Sequence, residues 1–389
     1  MNFQMKNLTI VFTTTHADTL GNACRLDMIS FLSEHFNTTI LTNQPGFIKT
    51  LFPDLVIIPI NSSNKGKLPV ISSFRYYKQL AKEVNKIQSD GVFIFNDESP
   101  SAIWIKSSVF QYIHQYGERN NNGSNSIKKL IKKNISFLEH KLIVKGFKKS
   151  ELNFVVSTFL IDYFKNEGVN NLVHIPHAMN ITKFQKPLLT KDHERLKDLR
   201  DAGYFIVSYT GWVTENRGYQ LMMDAIKEAV AKDDKIVLVI AGADEVFSKR
   251  IFDFQEKYNL EKNIINYGVV DSSLTPGILY YSDVCLSFLD NVPAHLVSPP
   301  QKIFEYFASG KPVICNDIQT HSSFINHDKT GFIVSLDSKE VSNKILSLKE
   351  NPSKHKEMCV NAEQESLKYE ISNVYGKMTH DIKEVLNEY

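Results

Sequence analysis

The amino-acid sequence predicts an α/β protein built as two parallel-sheet halves, and three observations carry that expectation. Short β-rich runs alternate with helically spaced apolar residues along the chain, the pattern of a parallel sheet wrapped by helices. At 389 residues the chain exceeds one ordinary core, given roughly 100–200 residues per domain. The second half repeats the α/β order of the first, a coarse duplication without a short-period repeat.

In the first half, residues 8–12 read as a strand, followed by a helix through Leu26, Ile29, Phe31 and Leu32. Further strands are expected at 39–41, 56–59, 92–95 and 109–113, and the polar stretch 120–126 reads as a loop. Residues 128–149 are strongly basic, with Lys128, Lys129, Lys132, Lys133, Lys141, Lys145, Lys148 and Lys149 against Glu139 alone. There Leu130, Ile131, Ile135, Leu138, Leu142 and Ile143 recur at helical spacing. Two readings stand side by side: a surface helix with solvated lysines, and a face that docks on anionic lipid head groups, each Lys contributing on the order of 1 kcal/mol. Strands at 152–156 and 173–175 close this half.

The charged stretch 186–200 lacks a sustained apolar face and reads as an inter-domain connection. Strands at 205–209, 236–241, 264–267, 284–288 and 312–315 then alternate with helices.

Composition narrows the class. With 42% hydrophobic and 23% charged residues the chain has the make-up of a globular protein, which argues against wholesale disorder. A net charge of +2 gives no ground for a nucleic-acid partner. Cys24, Cys285, Cys315 and Cys359 are far apart and form no Cys-x-x-Cys pair, which disfavours zinc or redox chemistry. The apolar run 8–12 is too brief for a signal-peptide core, and no segment approaches the ~18 apolar residues of a membrane span. A cytoplasmic protein is expected.

Chemistry concentrates in two segments of the second half. Residues 209–230 read as a strand end, Gly211, a short loop with Thr214 as a cap, and a helix with Leu221, Met222, Ala225, Ile226, Ala229 and Val230 on one face. Such a turn presents backbone N–H groups and a positive helix end to an anion, and Arg217 would add a fixed charge. Taken alone, the turn is common and Arg217 reads first as a solvated helix residue.

The segment 298–314 is more informative. Ser298 and Gln301 match a capping box, and Pro299 falls at the first helical position. The helix is expected to end near Gly310. Lys302 and Glu305 share one face of it, with Lys302 in the first turn where a cation opposes the helix dipole. A bound diphosphate would account for that lysine, and Glu305 has acceptor oxygens for a ribose hydroxyl pair. The plainer alternative is a surface Lys–Glu pair. In the first half, Asp97 and Glu98 form an acidic pair at a strand end, read as a solvated loop or an acceptor contact.

These segments together resemble glycosyltransferase family 4, retaining enzymes of GT-B architecture, over nearly the whole chain. The resemblance rests on Tyr209-Thr210-Gly211 with Arg217-Gly218, on Asn266-Tyr267-Gly268-Val269, and on Ile175-Pro176-His177-Ala178-Met179-Asn180. Its most diagnostic stretch is Pro300-Gln301-Lys302-Ile303-Phe304-Glu305 with Gly310-Lys311-Pro312-Val313-Ile314. It implies two Rossmann-like domains facing each other across a cleft. The N-terminal acceptor domain would span 1–185, with 372–389 crossing back to it as a helix, and 186–371 would form the donor domain.

The resemblance also implies roles. Arg217 and Lys302 would hold the donor diphosphate and carry catalysis together with His114, which is similar to a histidine beside the donor sugar. Its place at the carboxyl end of a strand suits a ligand contact. Gly211, Glu305, Ser298 and Val269 would bind the donor nucleotide, and Gly21 with Asn22 would lie on the acceptor side. No cofactor or metal is implied, and no two aspartates stand two positions apart as in an Asp-x-Asp metal motif.

Three departures stand out. Val297 occupies the position of a first glutamate that holds donor-sugar hydroxyls, Ser298-Pro299-Pro300 replaces a Gly-x-Gly, and Trp212 replaces a basic residue. The expected function is sugar transfer from a nucleotide diphosphate sugar to a glycan or lipid-linked acceptor in polysaccharide or glycoconjugate biosynthesis. The setting would be the cytoplasm, with peripheral contact at the inner face of the plasma membrane through 128–149. The alternatives are a nucleotide-sugar epimerase and a non-catalytic nucleotide-sugar-binding subunit.

Overall fold

A computed structural model describes residues 5–14, 23–60, 71–113 and 127–387, with only the backbone given for 23, 71–72, 96–97 and 127–136. The chain forms two compact units, one of Arg25–Pro176 with the first strand and the residues from Val374 onward, the other of His177–Asn373. Each is built on a single sheet whose paired strands are all parallel.

The first sheet contains β1 (Asn7–Phe12), β2 (Asn37–Thr42), β3 (Val56–Pro59), β4 (Gly91–Phe95), β5 (Ser108–Ile113), β6 (Leu152–Val155) and β7 (Leu172–His174), in the order β3-β2-β1-β4-β5-β6-β7. The second contains β8 (Phe205–Thr210), β9 (Ile236–Ala241), β10 (Ile264–Asn266), β11 (Val284–Ser287), β12 (Val313–Asn316) and β13 (Gly331–Val334), in the order β10-β9-β8-β11-β12-β13. Strand order therefore reverses between β1 and β4 and between β8 and β11. In such sheets ligands bind at the carboxyl ends of the strands beside that reversal.

Helices cover both faces, so the central strands are buried on both sides and read as continuous apolar runs. In β8 and β9 every residue is buried. Alternate side chains point to opposite faces. Val207, Leu238 and Ile240 pack with Met222 and Ile226 of the helix Tyr219–Val230, whereas Ile206, Val237 and Val239 pack with Leu196 and Ile278.

Leu196 corrects one expectation. The stretch 186–200 is no bare connection: it includes the helix Glu194–Asp201, whose Leu196 is fully buried. His193 adds a bond from Nε2 to the Leu274 carbonyl at 3.1 Å, and its ring fills the space where a Cβ on Gly277 would stand. The helix Ile371–Asn387 matches the expectation of a return to the first unit, with Tyr375 against Phe31 at 5.9 Å and Leu386 against Gly91. Among the described residues no helix is long and apolar enough to cross a membrane.

Candidate functional site

At the carboxyl ends of β8, β9 and β10 three glycines lock together. Gly211, Gly242 and Gly268 have φ of 105°, 124° and 66°, in the left-handed region that favours glycine. Gly211 N donates to Ala241 O at 2.8 Å, Val213 N to Gly242 O at 3.2 Å, and Gly242 N to Gly268 O at 2.6 Å. A Cβ on Gly242 would stand 2.2 Å from the Gly211 carbonyl oxygen. The backbone is thus held flush at the sheet edge, open to close approach. Beyond it, Glu215–Arg217 form a single 3-10 turn that Gly218 ends at φ 75°, and the helix Tyr219–Val230 starts without a side-chain cap. Thr214 caps neither, since its hydroxyl donates to Asn216 Oδ1 at 2.6 Å.

Tyr209, two positions before Gly211, organises two cations. Its buried hydroxyl donates to the Trp212 carbonyl at 2.8 Å, and the charge of the nearby Arg217 side chain acts on it. Lys302 Nζ lies 3.4 Å from the centroid of the same ring, where a cation is attracted to the π face. Lys302 is only 7% exposed. Burial, and after it the charge of Arg217, drive its ammonium well below the ordinary value of 10.5, with Glu305 offsetting part of the shift. Burial likewise pushes the Tyr209 hydroxyl up to about 12. Two neighbouring cations, one desolvated, form an arrangement that an anion would relieve.

Lys302 reaches this place by a route other than the expected one. Ser298 does not cap its helix; it closes the short helix Pro293–Val297, and the next helix, Lys302–Ala308, begins only after Gln301. Pro300 disfavours helical geometry at Pro299, so the chain turns before it coils. Gln301 Nε2 donates to Glu305 Oε1 at 3.0 Å instead of completing a capping box.

Buried polar contacts fix this helix. Thr210 N donates to Tyr306 Oη at 3.1 Å, and Tyr306 Oη donates to the Leu286 carbonyl at 3.3 Å, which pins the helix to both strands flanking the reversal. His177 sits against Phe304 with ring centroids 5.4 Å apart and donates to the Pro299 carbonyl. Burial holds its pKa down at about 4, so the ring is neutral.

The second unit therefore brings Gly211, Arg217, Lys302 and Glu305 together at the reversal between β8 and β11, with Val269 exposed just past β10 and Ser298 at a helix end. His114, Gly21 and Asn22 lie outside the described residues, as do the loop 120–126 and the side chains of Lys128, Lys129, Lys132 and Lys133. Among the described residues no group of three or more His, Cys, Asp or Glu side chains could hold a metal ion.

Two features escaped the sequence reading. Tyr209 and Tyr306 look like core aromatics of a strand and a helix, and only the tertiary structure shows their hydroxyls at the site. Glu98, expected in a solvated loop, is instead 1% exposed and accepts hydrogen bonds from Thr13 and, at 3.4 Å, from Tyr76 Oη. Thr13 follows β1 and Glu98 follows β4, so their bond spans the reversal of the first sheet.

Comparison with known proteins fits this geometry. Residues 190–365 match the family model Glycosyl transferases group 1. No curated protein matches the chain by sequence. HepE of Anabaena, crystallised with UDP and glucose, superposes with a TM-score of 0.74 at 14% identity over 99% of this chain and 100% of its own. Sucrose-phosphate synthase of Thermosynechococcus elongatus gives 0.73 at 14% over 99% and 100%. A glycosyltransferase of Rickettsia africae gives 0.71 at 18% over 99% of each chain. The chain thus has the GT-B fold, and Gly211, Arg217, Lys302 and Glu305 all fall within residues 190–365, the part that matches the glycosyl transferases group 1 model.

Proposed function

We propose that this protein transfers a sugar from a nucleoside diphosphate sugar to an acceptor hydroxyl, with Arg217 and Lys302 binding the diphosphate. The observation that carries this reading is the convergence of both cations on Tyr209 beside the β8–β11 reversal. As the bond from the sugar to the β-phosphate breaks, negative charge grows on the departing oxygen. Fixed cations in a site of low polarity stabilise that charge most where it develops. In this reading they take the place of a metal ion. Glu305 accepts the ribose hydroxyls, Gly211 gives the backbone room to approach the phosphates, and Val269 borders the base. The resemblance adds retention of anomeric configuration and a role for His114 beside the donor sugar.

The acceptor in this reading is a glycan or a lipid-linked glycan, met by Gly21 and Asn22 and, in the first unit, by Glu98. A lipid-linked acceptor is favoured by the lysine-rich helix Ile127–Lys149, which also exposes Phe137 (55%) and Leu138 (47%). Such a face suits the anionic inner surface of the plasma membrane.

The test is incubation of the purified protein with a panel of nucleotide-sugars, with and without glycan and lipid-linked acceptors, following nucleotide release and sugar identity. Release that depends on acceptor is expected. Isomerisation without acceptor would make the protein an epimerase, and saturable binding without turnover a binding subunit; either result overturns transfer.

A further inference from the structure

The turn that follows β11 is anchored on several sides. Asp290 N donates to the Asn216 carbonyl at 2.9 Å, tying it to the turn that carries Arg217. Thr320 Oγ1 donates to the His295 carbonyl at 2.5 Å, and Gln319 holds the Leu296 carbonyl. Beneath lies a buried pair: His321 Nδ1 donates to the Asn316 carbonyl at 3.1 Å, leaving Nε2 to accept from Ser287 Oγ at 3.0 Å.

His295 is held by this framework. Its Nδ1 is 3.0 Å from the Asp290 carbonyl oxygen. A carbonyl only accepts, so Nδ1 carries the hydrogen and Nε2 of the neutral ring keeps its lone pair. Burial, the largest influence, favours that neutral ring; the hydrogen bond to the Asp290 carbonyl opposes it, and the nearby charge of Arg217 adds to the effect of burial. Nε2 has no hydrogen-bond partner among the described residues. A lone pair there repels a phosphate oxygen, which offers no hydrogen, and suits a hydroxyl, which does. On the same helix Val297 has no polar side-chain atom to serve instead.

We propose that His295 Nε2 accepts a hydrogen bond from a hydroxyl of the donor's sugar, so that it reads the sugar and not the nucleoside diphosphate. The inference rests on the donor-binding reading given above.

Two substitutions separate recognition from anchoring. In His295→Asn the amide nitrogen falls where Nδ1 lies and keeps the bond to Asp290, while Nε2 is lost. In His295→Gln the amide oxygen falls near Nε2, while the bond to Asp290 is given up. Calorimetry on the full chain would compare UDP, GDP and ADP with UDP-glucose, UDP-N-acetylglucosamine, GDP-mannose and ADP-glucose. For the best-bound sugar, the ratio of nucleotide-sugar Kd to nucleoside diphosphate Kd is expected to rise about tenfold in His295→Asn and to stay within about threefold in His295→Gln. An unchanged ratio in His295→Asn, loss confined to His295→Gln, equal weakening of both ligands, or affinity for a diphosphate without affinity for any sugar form overturns the inference alone. Failure of the unaltered protein to bind any of these ligands overturns the donor-binding reading and this inference with it.

Discussion

The ammonium of Lys302 stands 3.4 Å from the centroid of the Tyr209 ring, whose hydroxyl in turn feels the charge of the nearby Arg217 side chain. One buried aromatic side chain thereby seats two cations. A desolvated cation–π contact contributes about 2 kcal/mol. Desolvating an ammonium costs several kcal/mol, so the ring alone does not offset the burial. Lys302 is kept at some expense of stability, the mark of a residue retained for what it binds.

Removing that charge should therefore separate stability from activity. Lys302→Met keeps an unbranched stem over Tyr209 without the ammonium. Thermal unfolding should occur at the same or a higher temperature, while turnover falls by ~10²-fold or more. A lower Tm with turnover intact would remove Lys302 from the donor site and the proposed function with it.

A second consequence concerns protons. The Lys302 pKa lies well below 10.5 in the free protein, and a bound diphosphate would raise it again. Ligand affinity should therefore be greatest below the depressed value and decline as pH rises through it toward 10.5, because binding must then recruit a proton. Above pH about 7.5 a terminal phosphate is already ionised, with its second pKa near 6, so its own titration does not obscure the trend. Calorimetry with UDP in buffers of different ionisation enthalpy should show proton uptake, and Lys302→Arg should abolish it. Equal heats in all buffers across pH 7.5–10 would contradict the shift.

How far the sequence foretold this arrangement depends on the distance over which each signal acts. Strands β4 and β9 were legible because buried parallel strands are continuous apolar runs. β13 was not: it is four residues long and opens with Gly331, a glycine required because a Cβ would meet the Val313 backbone. Arg217 and Lys302 stood out through local punctuation, a glycine turn in one case and a cation against the helix dipole in the other. Their meeting did not, since it runs through Tyr209 and through Tyr306, which binds Thr210 across 96 positions of chain. The Ser298 capping box failed for a local reason that two consecutive prolines explain.

The glycine ladder predicts unequal costs for equal substitutions. Gly242→Ala would drive a methyl into the Gly211 carbonyl at a φ of 124°, whereas at Gly268 the nearest atom is 3.8 Å away and φ is 66°. The first should destabilise by about 3 kcal/mol or more and displace Gly211 from Lys302. The second should cost about 1–2 kcal/mol, the strain of a left-handed residue. Urea unfolding midpoints would decide, and matching midpoints would mean the backbone at Gly242 relaxes freely.

Glu98 gives the last prediction. Carboxylates are almost never fully buried unless paired, yet this one is 1% exposed at the reversal of the first sheet, taking hydrogen bonds from Thr13 and Tyr76. Glu98→Gln keeps the shape and leaves an amide oxygen for both hydroxyl donors, so Tm should change little. If the carboxylate meets the acceptor, its charge or second oxygen is what matters. Acceptor-dependent turnover should then fall at least about tenfold, the cost of one hydrogen bond to a charged group, with UDP affinity unaltered. A variant that loses Tm but transfers normally once folded would assign Glu98 to the architecture of the β1–β4 edge and leave acceptor binding to other residues of the first unit.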